Sequence, residues 1–338
     1  MKAKRLFISV IALCCTMVAW AQNEAAVAIL QKSNGEVKIY NGSSALQNAY
    51  NDAEETGSVI TLSSGTFNSP GNIQKSVNIY GNGFEVNEQN GITTPTTISS
   101  GLNFSTGSDE KSLENFRIEG IYINGDVKVK QIKEFVISRC RLKAFIYSGN
   151  NAEAITIQQS VLAGSIEGNS YEIKGLTVKN SYISLRVLGS NENNQILIDH
   201  CLLPTGSEGG HTKAVYTNCI FNGLYHAGIA ANSTVRHCIL KDIGITDCYV
   251  EGNWSTDGSN IFEDDKYLDN YYGSYYDATR TYKLKYPETY VGTDGTEVGI
   301  QGGLLGGFNK VPSIPVVKSL SPTVEGNTLK INYEVELR

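Results

Sequence analysis

The feature that most constrains this chain is a short pattern that recurs ten times at intervals of 17 to 21 residues. In each copy an apolar residue is followed by two turn-like residues, a small residue, one further residue and usually a second apolar one. Examples are Ile157-Gln-Gln-Ser-Val-Leu162 and Ile198-Asp-His-Cys-Leu-Leu203. A repeat of about twenty residues is typical of a solenoid, whose stacked coils share one core. The residues that open the copies are Leu62, Ile79, Ile98, Ile118, Ile137, Ile157, Val178, Ile198, Tyr216 and Val235.

The segments between the turns are short and rich in Ile, Val, Leu and Tyr, which favours strands over helices. The apolar spacing around each turn breaks the alternation of a single strand, so we place a two-residue corner between two strands. The second corner residue is expected to be left-handed, a conformation that Gly, Asn and His tolerate better than most residues. The pattern therefore predicts an all-β fold, a parallel β-helix of about ten coils. The second corner residues are Ser64, Gly81, Ser100, Gly120, Arg139, Gln159, Asn180, His200, Asn218 and His237.

The N-terminus has the layout of a secretory signal peptide. Basic residues precede an apolar stretch from Leu6 to Val18, and Ala19-Trp-Ala21 is a small-x-small cleavage site. We therefore expect export to the periplasm, the cell surface or the medium, with a mature chain that begins near Gln22. Cleavage removes three basic and no acidic residues, which changes the net charge from −6 to −9. This charge argues against nucleic acid as a partner, and no later apolar run has the length of a transmembrane segment.

Four of the five cysteines of the mature chain occupy the small position that follows the corner, where serine stands in two other coils. We interpret them as a column of buried thiols, because neighbours on parallel strands have parallel Cβ vectors that suit a disulfide poorly. No Cys-x-x-Cys pair is present, so no zinc site is predicted. The four are Cys140, Cys201, Cys219 and Cys238, and the fifth is Cys248.

Segments without the repeat lie on both sides of it. A short helix from Ser44 to Ala53, with Leu46, Ala49 and Tyr50 on one face, is expected to cap the core. At the other end, the alternating segment that ends at Leu337 predicts a strand that pairs with the edge of the last coil. The predicted segments are the signal peptide over 1–21, a lead-in segment with the capping helix over 22–58, the β-helix over 59–250, a tyrosine-rich closing segment over 251–310, and a linker with the C-terminal strand over 311–338.

Two stretches carry a resemblance to a known superfamily. The helix followed by Gly57-Ser-Val-Ile-Thr-Leu-Ser-Ser-Gly65-Thr-Phe67 resembles the start of pectin-lyase-like proteins, and the coil pattern extends the resemblance to about Leu240. Gly292-Thr-Asp-Gly-Thr-Glu-Val-Gly299 is similar to the closing segment of secreted β-helix proteins from gut-type bacteria. The resemblance implies a right-handed parallel β-helix. It leaves the function open, because the superfamily includes lyases, hydrolases, adhesins and non-catalytic proteins.

The enzyme motifs of that superfamily are incomplete here. Ile196-Leu-Ile-Asp-His-Cys201 is similar to the Trp-Ile-Asp-His motif of calcium-dependent pectate lyases, but Leu197 replaces the tryptophan and the calcium-binding carboxylates are missing. We interpret Asp199 and His200 as a solvated corner. Gly210-His-Thr212 lacks the final glycine of the polygalacturonase motif. No cofactor is therefore expected, and calcium would be needed only if the chain were a lyase.

A constant spacing along each coil predicts which residues of the third strand face outward. It places Phe145 and Tyr147 outside, where their rings could stack on a sugar. On the same face Glu167 and Glu208 would lie two rungs apart, roughly 10 Å, near the upper end of the separation of an inverting pair of carboxylates. The catalytic candidates on this face are Glu167, Arg186, Glu208 and His226.

The closing segment supplies a second set of aromatic residues. Tyrosine combines a flat apolar ring with a hydroxyl, which suits carbohydrate stacking, although the same rings could simply pack the segment onto the β-helix. The candidates for ligand binding in this region are Trp254, Tyr271, Tyr272, Tyr275 and Tyr276.

The absence of a complete catalytic motif favours one function class over two others. We expect a monomeric, secreted or surface protein that is non-catalytic and binds a polysaccharide or other glycan, or serves as an interaction scaffold. One alternative is a polysaccharide lyase or glycoside hydrolase, which convergence of Glu167, Arg186, Glu208 and His226 in one groove would support. The other is a purely structural or adhesive protein without a ligand, which burial of the tyrosines would favour.

Overall fold

The structure of the protein, a computed structural model, is an all-β fold with 44% strand and 4% helix. Three sheets wrap around a common core and form a parallel β-solenoid, which confirms the predicted fold class. No helix in the described part of the chain is long and apolar enough to cross a membrane. The described residues are 26–107, 111–149, 152–168, 170–203, 212–221, 229–240, 245, 247–256, 261–265 and 276–313, with the backbone of 315–325 and 328–337.

Sheet A is the longest of the three sheets and has twelve strands. Its first two strands are antiparallel, and the others run parallel to one another. In spatial order they are β2 (Val37–Asn41), β1 (Val27–Gln31), β3 (Thr56–Leu62), β6 (Ser76–Tyr80), β9 (Leu113–Glu119), β12 (Ile132–Ser138), β15 (Ala152–Gln158), β18 (Ile173–Lys179), β21 (Gln195–Asp199), β23 (Val215–Thr217), β25 (Thr234–Arg236) and β27 (Tyr249–Glu251).

Sheets B and C are parallel throughout and built from shorter strands. Sheet B contains β4 (Gly65–Phe67), β7 (Thr96–Ile98), β10 (Tyr122–Ile123), β13 (Arg141–Leu142), β16 (Val161–Leu162), β19 (Tyr182–Ile183), β22 (Leu202–Leu203), β24 (Ile220–Phe221), β26 (Ile239–Leu240) and β28 (Trp254–Ser255). Sheet C contains β5 (Asn72–Ile73), β8 (Leu102–Phe104), β11 (Val127–Val129), β14 (Phe145–Tyr147), β17 (Ile166–Glu167) and β20 (Val187–Leu188).

The core is a stack of inward-facing apolar side chains, one set for each coil. Ile118, Ile137 and Ile157 are fully buried and paired across neighbouring strands of sheet A. Near the N-terminal end, Phe116 and Phe135 stack with ring centroids 4.4 Å apart. Parallel strands lie about 4.8 Å apart, so side chains at the same position of successive coils are in contact. Each inward position therefore forms one column of the core, and each coil adds one apolar residue to that column.

The N-terminal end of the core is closed by the helix α1 (Ala45–Asp52) and by the hairpin of β1 and β2. The predicted apolar face of the helix is confirmed, since Leu46, Ala49 and Tyr50 are buried in the core cluster. Ser44 stands at the N-cap without a capping side-chain hydrogen bond. At the other helix end, Lys75 Nζ donates to the carbonyl oxygen of Ala53 at 2.6 Å. The hairpin, which the sequence did not predict, extends sheet A by two antiparallel strands.

The solenoid has about eight turns, slightly fewer than the ten that the repeat predicts. One reason is that Ile98 does not open a coil: it lies in sheet B and pairs with Phe67 and Ile123. The next strand of sheet A after the one that contains Ile79 is β9, in which Ile118 is the direct partner of Ile79. Residues 81–95, which contain a short 3₁₀ helix at Glu88–Asn90, lengthen this turn, so an apolar residue at the usual interval belongs to a different sheet.

The predicted left-handed corners are confirmed over seven consecutive turns. Gly120 has a φ of 72°, and the six residues that follow it in the column have φ between 45° and 54°. Each of these residues directly follows a strand of sheet A and starts the connection to sheet B. Ser64, Gly81 and Ser100 do not adopt this conformation. The six residues after Gly120 are Arg139, Gln159, Asn180, His200, Asn218 and His237.

The C-terminal strand is confirmed as a strand, but its predicted partner is wrong. Strand β30 (Thr328–Leu337) pairs antiparallel with β29 (Pro315–Glu325) and the two form a separate sheet. The edge strand of sheet A at this end is β27. Strand β29, which lies in the segment predicted to hold a linker and the C-terminal strand, therefore satisfies backbone hydrogen bonds of β30 locally.

Candidate functional site

The outer face of sheet A carries a column of small and apolar side chains. The register pairs Thr177 with Leu197, Leu197 with Val215, and Val215 with Thr234. Consecutive residues in this column are about 4.8 Å apart, the spacing of neighbouring strands. Val215 is 39% exposed, and the other three are half-buried. The column is thus accessible from solvent over four rungs.

A groove of about 390 Å³ opens along this column. It begins at Gly175, where no side chain fills the face and φ is +84°. In the three preceding strands the same position is also left-handed, but it carries the side chains of Asn115, Glu134 and Ala154. The pairing of β18 with β21 shifts after Lys174, and β21 has five residues where β18 has seven. The missing side chain at Gly175 and the shorter strand β21 lie next to each other, and together they create the concave surface.

The groove lining combines aliphatic, hydroxyl and amide groups with one ammonium group. Among the described lining residues, none is acidic and none is histidine or cysteine, and the ammonium group is that of Lys213. The groove can bind a ligand by apolar contact and neutral hydrogen bonds. The lining residues are Gly175, Leu176, Thr177, Asn194, Gln195, Ile196, Leu197, Lys213, Ala214, Val215, Asn232 and Thr234.

The lining amides differ in what they can offer to a ligand. Asn194 is buried, accepts a hydrogen bond from the Ile173 amide at 3.0 Å and donates to the Tyr147 hydroxyl at 3.1 Å. It fixes the floor of the groove. Gln195 and Asn232 are exposed and lie at the groove edge, where their side chains can meet a ligand.

A row of charged residues crosses sheet A near the N-terminal ends of its strands, and the sign of the charge alternates from strand to strand. The register pairs Glu114 with Lys133, Lys133 with Glu153, and Glu153 with Lys174. Lys133 Nζ and Glu153 Oε2 are 3.8 Å apart. The alternation ends at Lys174, where the groove begins and Gln195 is the next partner. The groove therefore lies beyond the charged part of this face.

The outer face of sheet B is closed to ligands by the strap, the name used here for residues 276–313. Tyr182 and Leu202, which point outward from sheet B, are fully buried, and they pack in one cluster with Tyr282, Leu284 and Ile300 of the strap. The other outward residues of sheet B in this cluster are Val161, Ile220 and Ile239. A ligand could reach this stripe only if the strap were displaced.

The strap is tied to the left-handed corners by hydrogen bonds from corner side chains. It runs from the last turns towards the first ones: His237 Nδ1 lies 3.0 Å from the Val291 carbonyl oxygen, and Asn180 Nδ2 donates to the Gly302 carbonyl oxygen at 2.7 Å. Further along, Gln159 Nε2 donates to the Gly307 carbonyl oxygen at 2.7 Å. The strap is thus held by polar side chains at the left-handed positions of several corners.

His200 and Asp199 occupy such a corner, and the prediction of a solvated corner is wrong for His200. Its side chain is 1% exposed, with Nδ1 3.3 Å from the Gly299 carbonyl oxygen and Nε2 3.1 Å from Asp294 Oδ2. Gly302 permits the close approach of the strap to this ring, because a Cβ atom there would lie 2.8 Å from His200 Nδ1. Asp199 accepts hydrogen bonds within its own face, from Thr217 Oγ1 at 2.8 Å. Of the two residues, His200 is the one that holds the strap.

The cysteine column is confirmed as a set of free buried thiols. Cys219 Sγ lies 3.1 Å from the Thr217 carbonyl oxygen, two residues earlier across the corner. Ser160 occupies the same position in its coil and donates to the Gln158 carbonyl oxygen at 2.7 Å. Burial raises the pKa of Cys140 to about 12. These thiols are structural groups, and none lines the groove.

The predicted outward orientation of Phe145 and Tyr147 is wrong. Both are fully buried, and Ile146 between them faces outward. The connection from Leu142 to the inward residue Phe145 spans three positions, whereas the next coil takes four from Leu162 to Ile166, the direct partner of Phe145. The turn between Leu142 and Phe145 is therefore one residue shorter than the same turn in the next coil. This shift turns Phe145 inward and Ile146 outward. Neither ring is available for stacking on an external sugar.

The other predicted site residues are only partly brought together. Glu167 lies on β17, and the carbonyl oxygen of Arg186 accepts a hydrogen bond from the Ile166 amide at 2.9 Å, which places Glu167 and Arg186 on consecutive coils. Glu208 and His226 lie outside the described residues. No group of three or more His, Cys, Asp or Glu residues in the described part of the chain is placed to hold a metal ion.

The aromatic candidates that can be located pack against the protein. Tyr276 lies edge-on to Tyr182 with centroids 5.5 Å apart, and its hydroxyl donates to Glu85 Oε2 at 3.0 Å. Trp254 is half-buried, with its ring centroid 5.7 Å from those of His237 and Tyr290. Tyr271, Tyr272 and Tyr275 lie outside the described residues, as does the predicted signal peptide.

Comparison of the chain with protein-family models, with curated proteins and with solved structures gives no match. The shared feature with the pectin-lyase-like superfamily is therefore the parallel β-solenoid architecture, and the assignment of a function depends on the site.

Proposed function

We propose that the protein is a non-catalytic, secreted or surface β-helix protein that binds a glycan chain in the groove on the outer face of sheet A. The observation that carries this proposal is the groove lining, which offers hydroxyl, amide and aliphatic groups without a carboxylate or an imidazole among its described residues. Such a surface can recognise hydroxyl-rich ligands, and its described lining lacks the pair of carboxylates on which most glycoside hydrolases depend.

The arrangement of the lining suits an extended polymer. Leu197 and Val215 give adjacent aliphatic patches on which the apolar face of a sugar ring can rest. Thr177 and Thr234 lie at the two ends of the same column, and Gln195 flanks it. Because the rungs repeat about every 4.8 Å, a chain of repeating units meets similar groups along its length. A small ligand would use only part of this surface.

The lyase or hydrolase alternative has weaker support. Its four candidate residues were Glu167, Arg186, Glu208 and His226. Glu167 lies on β17 of sheet C and Arg186 directly precedes β20, and neither lines the groove. Calcium would enter only with that alternative. The structural alternative gains support from the packing of Tyr276 and Trp254, which removes them as ligand contacts, but it leaves the groove on sheet A without a role.

The test is a glycan-array and polysaccharide-pulldown screen of residues 22–338, with product analysis on each hit. Leu197→Glu places a charge on the groove floor and should weaken binding at least tenfold. Lys128→Glu, on the exposed face of sheet C, is the matched control and should bind as the wild type does. Binding that survives Leu197→Glu would place the site elsewhere, and release of unsaturated or reducing sugars would overturn the non-catalytic assignment.

A further inference from the structure

Two arginine side chains in the described part of the chain lie against pairs of aromatic rings, and one of them shows what completes such a setting. Arg280 of the strap lies over the rings of Phe262 and Tyr282, with its Cζ atom 5.1 and 4.9 Å from the two ring centroids. Its Nε and Nη2 donate to the two oxygens of Asp264 at 2.6 and 2.9 Å. The rings hold the guanidinium group by cation–π contact, and the carboxylate accepts from its N–H groups.

Arg141 has the same aromatic setting without the carboxylate. It begins β13, points outward from sheet B and is half-buried. Its Cζ atom lies 5.2 Å from the ring centroid of Tyr122, its direct neighbour in β10, and 6.0 Å from that of Tyr276 in the strap. Its Nε is buried without an acceptor, and no hydrogen bond or ion pair joins this side chain to another described residue. Arg141 therefore lacks the acceptor that Asp264 gives to Arg280.

The charges around Arg141 favour a negatively charged acceptor. Glu85 lies in the same cluster, but the Tyr276 hydroxyl donates to its Oε2 at 3.0 Å and Lys310 Nζ pairs with its Oε1. Glu85 and Lys310 cancel each other, so the charge of Arg141 is left unbalanced. Lys143, which directly follows β13 and is exposed, adds a further positive charge. This surface is locally positive and attracts anionic groups, although the mature chain has a net charge of −9.

We propose that Arg141 binds the carboxylate of an aspartate or glutamate side chain on an acidic segment of a partner protein. The pair of Arg280 and Asp264 is the model for this contact within the same chain, since it joins an arginine between two rings to an aspartate. The guanidinium group is planar, and its N–H donors match the two oxygens of a carboxylate. Tyrosine and arginine are also the residue types at which the binding energy of protein interfaces is concentrated.

The site is separate from the groove. Arg141 and Tyr122 lie on sheet B and Tyr276 belongs to the strap, whereas the groove is lined by residues of sheet A and its flanking loops. Binding of an acidic segment therefore does not depend on glycan binding. A short peptide that makes one bidentate contact should bind weakly, with a dissociation constant on the order of 1 mM. This affinity should fall as the salt concentration rises.

An NMR titration of residues 22–338 labelled with ¹⁵N tests the site. The probe is acetyl-Gly-Asp-Gly-amide, and the neutral acetyl-Gly-Asn-Gly-amide is its control. We expect the Nε–Hε resonance of Arg141, identified by its loss in Arg141→Lys, to shift with the aspartyl peptide only. The corresponding resonance of Arg280 should stay in place, because Asp264 already accepts from that group.

Two variants separate the contact from a general effect of charge. Arg141→Lys keeps the positive charge but loses the planar set of donors, so the affinity, measured from the backbone amide shift of Tyr122, should fall at least tenfold. Arg236→Gln removes a guanidinium group of sheet A that pairs with Glu251, and it should bind as the wild type does. The absence of a shift at Arg141, equal shifts with both peptides, or unchanged affinity in Arg141→Lys would overturn the proposal. Binding of glucuronate but not of the aspartyl peptide would overturn the assignment to a protein partner.

Discussion

The small residue after each corner links one coil to the next. Ser160 Oγ donates to the Gln158 carbonyl oxygen at 2.7 Å and accepts a hydrogen bond from the Cys140 amide at 3.1 Å. In the same way the Cys219 amide points to Cys238 Sγ at 3.4 Å. A side chain at this position must be small enough for the core and must offer both a donor and an acceptor. Serine and cysteine meet both conditions, which explains why four unpaired thiols are kept at this position.

Burial makes these thiols inert in the native state. It raises the pKa of Cys219 well above its usual value, and the thiolate is the reactive form of cysteine. We predict that iodoacetamide at pH 8 modifies Cys248, which is half-buried, and leaves Cys140, Cys201 and Cys238 unmodified until the protein is unfolded in urea. Mass spectrometry of tryptic peptides before and after unfolding measures this. Equal labelling of all five cysteines in the native protein would contradict it.

Predictions for single residues were confirmed where the residue type alone decides the backbone conformation. The left-handed corners were predictable because Asn180 and His200 belong to types that tolerate a positive φ. The inward orientation of Phe145 was not predictable from a constant spacing, because a turn can lose one residue and restore the strand register. The groove was also missed: Gly175 inside a strand pattern was the available signal, since glycine there marks a bulge or an open surface.

At the scale of elements, the strap depends on a buried ion cluster at its far end. Glu119 is 3% exposed and accepts hydrogen bonds from Arg117 Nε at 2.7 Å and from the Ser313 amide at 2.9 Å. Arg139 Nη1 also lies 2.7 Å from its second oxygen. Burial alone would raise the pKa of Glu119, but the Ser313 amide and the two guanidinium groups outweigh it and hold the pKa below its usual value.

This cluster predicts how stability changes with pH. A lowered pKa means that the Glu119 carboxylate stabilises the fold above its unfolded pKa, about 4.3, and that the stabilisation is lost as the pH falls. Glu119→Gln should lower the free energy of unfolding at pH 7 by about 2 kcal/mol, less than the ~3–5 kcal/mol for a fully buried pair because Gln can still accept one hydrogen bond. It should also flatten the stability profile between about pH 5 and pH 3.

Urea unfolding across that pH range measures both effects. Glu153→Gln is the matched control, because its partner Lys133 is 3.8 Å away and both side chains are 40–48% exposed; it should change stability by at most about 0.5 kcal/mol. A Glu119→Gln profile parallel to that of the wild type would show that the carboxylate does not stabilise the strap. The sequence could not predict this cluster, since Glu119 and Ser313 are 194 positions apart.

At the scale of the whole molecule, sheets A and B of the solenoid have different outer surfaces. The outer face of sheet B is covered by the strap, and the outer face of sheet A holds the groove. This division follows from the side chains: Tyr182 and Leu202 point outward from sheet B, where an exposed apolar stripe would promote association. The strap covers this stripe with its own apolar residues, and it leaves sheet A as the face on which we place ligand binding.

Two shortened chains test whether the strap belongs to the folded unit while the hairpin does not. Residues 22–313 keep the strap to its last contact with Glu119, and their melting temperature should lie within about 3 °C of that of residues 22–338.

The second shortened chain, residues 22–255, ends at β28 and exposes five outward residues of sheet B. Each side chain contributes about 1.5–3 kcal/mol when fully buried, so their exposure removes on the order of 10 kcal/mol, comparable to the whole stability of a domain. We expect this shorter chain to aggregate or to bind 8-anilinonaphthalene-1-sulfonate strongly. If it stayed soluble with an unchanged melting temperature, the solenoid would be stable without the strap, and the apolar stripe of sheet B would then be a second surface open to ligands.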